Sequence, residues 1–197
     1  MNYLAHAYFS FENDEIIVGN LISDFVKGRK KLDYPGEIQK GITLHRSIDE
    51  FTDNHRVTKE AKEIFRPAYR LYSGAFIDVV YDHFLAIDKN EFTDKSLFAF
   101  SQKIYASVEK YSAWLPEKFG KMFIYMRNQN WLYGYREREM IRNSFTGLVR
   151  RSVYLTESDT AFDLFEKHYD ELAAFYGEFI RAIKPFAKQR FEELRTS

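Results

Sequence analysis

The sequence predicts an all-α fold, a multi-helix bundle forming one domain over residues 1–197, and three features carry that expectation. Apolar residues recur at helical spacing almost throughout, as in Ile64, Phe65, Ala68, Leu71 and Tyr72. Sustained two-residue alternation, the mark of a half-buried strand, is hard to find. Four prolines and nine glycines give few breaks, and neither a repeat nor a linker divides the chain.

Taken in order, the pattern places helices at about 2–9, 14–27, 35–52, 57–71, 74–87, 94–113, 116–129, 137–154 and 160–194. Asp14 is positioned to cap the second. Gly28 to Gly36 (GRKKLDYPG) reads as a charged loop, with Pro35 opening the third helix. Thr93 is a cap for the sixth, and Ser158 or Asp159 for the last. Pro67 and Pro185 lie inside helical patterns and should kink or restart them.

A domain of this length buries roughly 70% of the surface its unfolded chain exposes. With 19 Phe and 14 Tyr, the interior should be filled with rings, and the buried tyrosine hydroxyls need partners. Lys plus Arg equals Asp plus Glu at 29 each, so no global field draws the protein to nucleic acid or an anionic membrane. The absence of cysteine removes disulfides, thiolate nucleophiles and thiolate metal sites, leaving His, carboxylate, Ser, Lys and Arg for chemistry. The opening MNYLAHAYFSFENDEI lacks the basic and apolar regions of a secretory signal. No apolar run reaches the ~20 residues of a membrane span, and a cytoplasmic location is expected.

Function is signalled by polar residues set among apolar neighbours in the first half of the chain, repeatedly at i, i+4 on one helix face: Asn2/His6, Asn20/Asp24, His45/Asp49 and Asp78/Asp82. Asp53 extends the third pair, and His83 follows Asp82 directly. Asp24 (NLISDFV) and Asp82 with His83 (DVVYDHFLAI) fall where the periodicity expects core, and burying a lone carboxylate there costs several kcal/mol. A cation would offset that cost. His6, His45 and His83 lie on separate predicted helices, an arrangement that suits a divalent metal held by imidazole and carboxylate; Mn, Mg, Fe and Zn all remain open. Such an ion polarises a phosphoryl oxygen and lowers the pKa of bound water toward ~7, which is hydrolytic chemistry.

Each residue also has a plainer reading. His6 alone is an interior histidine near a terminus, Asn2 a cap, and His45/Asp49 a salt-bridged helical pair. His55 and His168 read as solvated, and Asp53 as a helix end. Taken jointly, several buried polar pairs would each need a separate structural reason.

The segments NYLAHAYFS, GNLISDFVKG, GITLHRSIDEFTDN and DVVYDHFLA, followed by NWLYGYRE and GLVRRS, resemble the successive motifs of acyl carrier protein phosphodiesterases, a divergent branch of the HD-domain metal phosphohydrolases. The resemblance implies an HD-domain-like helical fold, a Mn-type divalent requirement, and hydrolysis of the phosphodiester joining a carrier-protein serine to 4′-phosphopantetheine. It also implies a metal set of His6, Asp24, His45, Asp82 and His83, with Asp78 nearby. The parent superfamily shows a His…His-Asp…Asp series, whereas here the doublet is Asp82-His83 and comes late.

On this reading Asp49 or Asp78 orients or deprotonates the water, and Arg46, about 100° around the helix from His45, faces the phosphate or solvent. An acidic carrier protein would meet Lys27, Arg29, Lys30 and Lys31, or a second set of Arg136, Arg138, Arg142, Arg150 and Arg151 whose interleaved Trp131, Tyr133 and Tyr135 could pack the pantetheine arm. Both sets also read as solvated charged faces. Two other functions stay open: an HD-type nucleotide phosphohydrolase, and a non-catalytic helical binding module.

Overall fold

The helical periodicity is realised throughout the computed structural model, which describes residues 1–196 and contains no strand among them. The helices are α1 (Tyr3–Tyr8), α2 (Asp14–Ile22), α3 (Gly36–Asn54), α4 (Arg56–Tyr69), α5 (Ser73–Ile87) and α6 (Asp94–Lys110), then α7 (Glu117–Asn128), α8 (Trp131–Gly134), α9 (Arg138–Arg151), α10 (Asp159–Lys167) and α11 (Tyr169–Thr196). Among the described residues no helix is long and apolar enough to cross a membrane.

α2 and α5 are buried on nearly every side, as helices apolar around their circumference must be. α2 packs most closely on α3, and the reason is a pair of glycines. A Cβ on Gly19 would lie 2.1 Å from the Ile38 carbonyl oxygen, and one on Gly41 would lie 2.4 Å from that of Ile16. Only hydrogen fits at this crossing, so the two backbones touch. α1 packs on α2 and α5, α3 on α11, and α5 on α4 and α9.

The core is built from rings. Phe65 stacks on Phe76 at 5.6 Å, Phe145 meets Phe76 edge-on at 5.0 Å, and Tyr81 stacks on Phe179 at 4.8 Å. Interior tyrosine hydroxyls are served as expected: Tyr176 donates to Asp88 (3.1 Å), Tyr69 to Glu157 (3.0 Å), Tyr8 to Glu91, and Tyr105 accepts from the Leu132 amide (2.9 Å).

Several local expectations are corrected. Asn13, not Asp14, caps α2, accepting from the Ile16 amide at 3.1 Å, and Asp14 instead binds Lys110 and Ser107. α2 stops at Ile22 and tightens into a 3₁₀ turn over Ser23–Phe25, and Gly28–Asp33 is a further 3₁₀ segment rather than open loop. Thr93 caps α6 within a reciprocal capping box with Ser96, as expected. Ser158 precedes α10 but bonds Thr146, leaving Glu157 to accept from the Thr160 amide (3.0 Å). Neither proline restarts its helix. α11 continues through Pro185 because Ile183 and Ala187 on either side are both buried in the core, and the last helical stretch breaks instead at His168.

Candidate metal centre

α1 is six residues long, too short to hold itself, and its cap residue Asn2 makes no side-chain cap bond. Asp82 of α5 does that work. Its Oδ2 accepts from the Leu4 amide at 2.7 Å, and its Oδ1 from the Asn2 and Ala5 amides at 3.2 Å each. A wholly buried carboxylate thus satisfies the free N–H groups of a helix start. Burial nevertheless raises its pKa to about 7, against the lowering pull of the Met1 amine and those amides.

With α1 fixed, His6 stacks on His45 of α3, ring centroids 3.9 Å apart and planes 16° from parallel. His6 Nε2 lies 3.1 Å from Asp49 Oδ1, and His45 Nε2 lies 3.0 Å from Asp49 Oδ2 and 3.2 Å from Asp24 Oδ1. His45 Nδ1 donates to the Asn20 carbonyl at 2.8 Å, a contact that the glycine crossing of α2 and α3 brings within reach. Asn20 in turn donates from Nδ2 to the His6 carbonyl (2.9 Å) and to Ser10 Oγ (3.0 Å).

The charges are tightly linked. Burial works against a charged His45, but hydrogen bonds and attraction from Asp24 and Asp49 outweigh it and raise its pKa to about 9. Burial and the neighbouring His45 charge lower that of His6. Burial would raise Asp49, yet His6, His45 and the Met1 amine drive it far below the ordinary carboxylate range. The hydrogen bond from His45 lowers Asp24. The Met1 amine sits 2.8 Å from Asp78 and 3.7 Å from Asp49; burial lowers its pKa, but the two carboxylates prevail and lift it to about 10.

The donor set fits a divalent ion. One atom each from His6, His45 and Asp49 lies within 4.8 Å of the others. Ligand atoms held about 2.0–2.2 Å from one tetrahedral ion stand about 3.3–3.6 Å apart, a few tenths of an ångström beyond the His–Asp separations of 3.0–3.2 Å here. Because a carbonyl can only accept, the proton of neutral His45 sits on Nδ1, and Nε2 presents its lone pair to the cluster. A backbone carbonyl that accepts from the other ring nitrogen is a usual outer support of a metal-ligating histidine. His6 Nδ1 and Asn20 Oδ1 are buried without a partner among the described residues.

Of the residues expected to share one ion, His6, Asp24 and His45 are brought together, and Asp49, expected to act on water, joins them. Asp82 and His83 do not. Both Asp82 oxygens are committed to α1, while His83 bonds the Tyr135 carbonyl (2.7 Å) through Nδ1 and the Tyr169 hydroxyl (2.8 Å) through Nε2. Asp24 is not core: the 3₁₀ turn rotates it outward, and its side chain is 70% exposed at the rim. Asp78 lines the same recess as Asp24, a cavity of about 300 Å³ that also touches Tyr3, Leu148 and Arg151. Arg46 donates to the Val26 carbonyl at 2.9 Å, so its guanidinium braces the chain beyond Asp24 and is not aimed at the cluster. Asp53 pairs with Lys62 at 2.7 Å. His55 is half-buried beside Phe51 and Phe179, and His168 pairs with Glu171, so neither histidine is freely solvated.

Fold and site together define an all-helical protein with a largely buried imidazole–carboxylate cluster whose donor spacing suits a metal ion. The family model described as acyl carrier protein phosphodiesterase matches residues 1–183. Proteins named acyl carrier protein phosphodiesterase are similar to the chain in Photorhabdus laumondii (31% identity, covering 91% of each chain), Klebsiella pneumoniae (32%, covering 96% of this chain and 99% of the relative) and Salmonella paratyphi A (34%, covering 91% and 93%). The chain belongs to the acyl carrier protein phosphodiesterase family. No solved structure matches it.

Proposed function

We propose that this chain is a divalent-metal-dependent phosphodiesterase, acting as a single helical domain, that releases 4′-phosphopantetheine from holo acyl carrier protein. The observation that carries the reading is the convergence of His6, His45 and Asp49 in one cluster that Asp24 joins to the recess it lines, in a chain whose relatives are named for phosphodiesterase action on acyl carrier protein. A divalent ion bound there, Mn²⁺ ahead of Mg²⁺, Fe²⁺ and Zn²⁺, supplies Lewis acidity that polarises a phosphoryl oxygen and lowers the pKa of water. Imidazole and carboxylate donors spread over separate helices support placing the chain beside the HD-type phosphohydrolases, with Asp49 rather than the Asp82-His83 doublet in the ligand set.

His6, His45 and Asp49 form the inner wall of the centre, and Asp24 closes it from the solvent side. Asp78, paired with the Met1 amine and lining the recess, orients the attacking water. The reaction consumes one water: its oxygen bonds to phosphorus, the P–O bond to the carrier serine breaks, and the serine oxygen takes up a proton. Beside Asp24, Lys27, Arg29 and Lys30 are exposed with no ion-pair partner among the described residues, and Leu32 is 60% exposed. They are the surface for the acidic carrier protein, a cytoplasmic partner.

The test incubates purified protein with Mn²⁺ and holo acyl carrier protein and follows the carrier by mass spectrometry. Loss of the phosphopantetheine group, abolished by Asp49→Ala, is the expected result. Unchanged carrier mass alongside hydrolysis of a free nucleotide would move the substrate assignment to a nucleotide, and no reaction with no bound metal would leave a binding module.

A further inference from the structure

We propose that the cavity between α1, α8 and α9 receives the pantetheine arm, and that Arg151 holds the phosphodiester where this cavity meets the metal recess. The proposal rests on the phosphodiesterase reading and adds to it the place of the substrate and two residues that select it. The cavity measures about 550 Å³, within the ~300–1,000 Å³ usual for small-molecule sites. It shares Asn2, Tyr3 and Arg151 with the walls of the recess over Asp24 and Asp78, so the two spaces adjoin at the same three side chains.

The lining suits this occupant. The pantetheine arm alternates amide groups with short methylene stretches and carries a geminal dimethyl group next to its phosphate end. Val79, Trp131 and Met140 supply apolar wall, while Asn143 of α9 is exposed and its amide is free of partners among the described residues. An arm of this kind is uncharged beyond its phosphate, and among the described residues no carboxylate lines the cavity, whose charged groups are Arg150 and Arg151.

Charge decides the position of the phosphate. A phosphodiester is an anion, and the recess already holds Asp24 and Asp78, which repel it. Two cations line that recess: the Met1 amine is taken up by Asp78 and Asp49, whereas Arg151 has no ion pair among the described residues. Its guanidinium lies across Gly147, with Nη1 only 3.3 Å from where a Cβ would stand, so the glycine one turn earlier leaves the path by which Arg151 reaches both spaces. Arg46, bound to the Val26 carbonyl, cannot serve the same end.

The experiment compares wild type, Asn143→Trp, Arg151→Gln and Arg151→Lys, with Mn²⁺, on holo acyl carrier protein and on bis(p-nitrophenyl) phosphate, a diester without the arm. The indole of Asn143→Trp should lower kcat/KM for the carrier about tenfold more than for the small diester. Arg151→Gln should raise KM for both substrates, with part of the loss restored by Arg151→Lys. In a Trp114→Phe background, which leaves Trp131 as the one tryptophan, free phosphopantetheine should change the fluorescence when Asn143 is kept and not when Asn143→Phe fills the cavity with a ring that is not an indole. Equal losses on both substrates for Asn143→Trp, or no fluorescence response to phosphopantetheine, would overturn the placement while leaving the activity standing. A wild-type protein that cleaves the small diester but never the carrier would instead overturn the function on which the placement rests.

Discussion

His45 Nδ1 lies 2.8 Å from the backbone carbonyl of Asn20, and this one contact decides which nitrogen of the ring faces the carboxylates. It also ties the chemistry of α3 to the packing of α2, since the residue before Asn20 is the glycine on which the two helices cross.

That crossing should tolerate no side chain. Gly41→Ala places a methyl group 2.4 Å from the Ile16 carbonyl oxygen, against backbone that cannot swing aside. Overpacking of this kind destabilises by about 1–3 kcal/mol. Urea unfolding should show the loss, and Mn²⁺ affinity should fall with it as Asn20 and His45 move apart. Stability equal to wild type would show that the helices can separate freely.

The ligand assignment separates two acids, Asp49 and Asp82. Asp49→Ala should abolish Mn²⁺ binding in calorimetry with little loss of helix, because Asp49 is half-exposed and its polar contacts among the described residues are with the centre and the Met1 amine. Asp82→Ala should first cost stability: three backbone amides lose their acceptor, at a cost of about 1–3 kcal/mol or more, and Mn²⁺ affinity should weaken only as α1 and its His6 loosen. If Asp82→Ala removed the metal without loss of stability, the division of roles described above would be mistaken.

The centre should also respond to pH in a defined direction. In the metal-free protein His45 titrates at about 9, above the 6.5 of an unperturbed imidazole. Since the folded value is the higher, stabilisation from the charged ring is complete below about pH 6.5 and is lost as pH rises through about 9. A divalent ion competes with that proton for Nε2, so Mn²⁺ affinity should climb across the same interval. Calorimetric titrations at several pH values test this, and a flat profile would contradict it.

Carrier-protein docking should depend on the basic 3₁₀ segment. Reversing Lys27, Arg29 and Lys30 to Glu should raise KM for holo carrier protein with kcat retained, and should weaken the salt dependence of the wild-type reaction. A KM indifferent to these changes would place the carrier elsewhere, with the arginines of α9 as the next surface to reverse.

The helices were legible because apolar spacing survives in almost every segment, and Thr93 was legible as a cap because a serine three residues on completes the box. The four-residue α8 was not, being about one turn long, nor was the break at His168, where no glycine or proline marks it. In the site, the i, i+4 pairing singled out His6, Asp24, His45 and Asp49. Spacing could not show the partners of Asp82: a buried carboxylate can be satisfied by a cation or by a row of helix amides, and the pattern within α5 is the same in both cases. Nor could it show those of His83, because Tyr135 and Tyr169 lie 52 and 86 residues away.

Asp82 has one more consequence, and it concerns time. Its bond to the Leu4 amide spans 78 positions of sequence, so the opening turn of the molecule leaves the ribosome long before its anchor exists. Synthesis therefore delivers His6 first and secures it only after α5 has emerged, a long loop closure of the sort that slows folding. Until that closure a nascent chain carries the histidine without the pocket, and its capacity to hold an ion should switch on abruptly with chain length rather than grow by degrees.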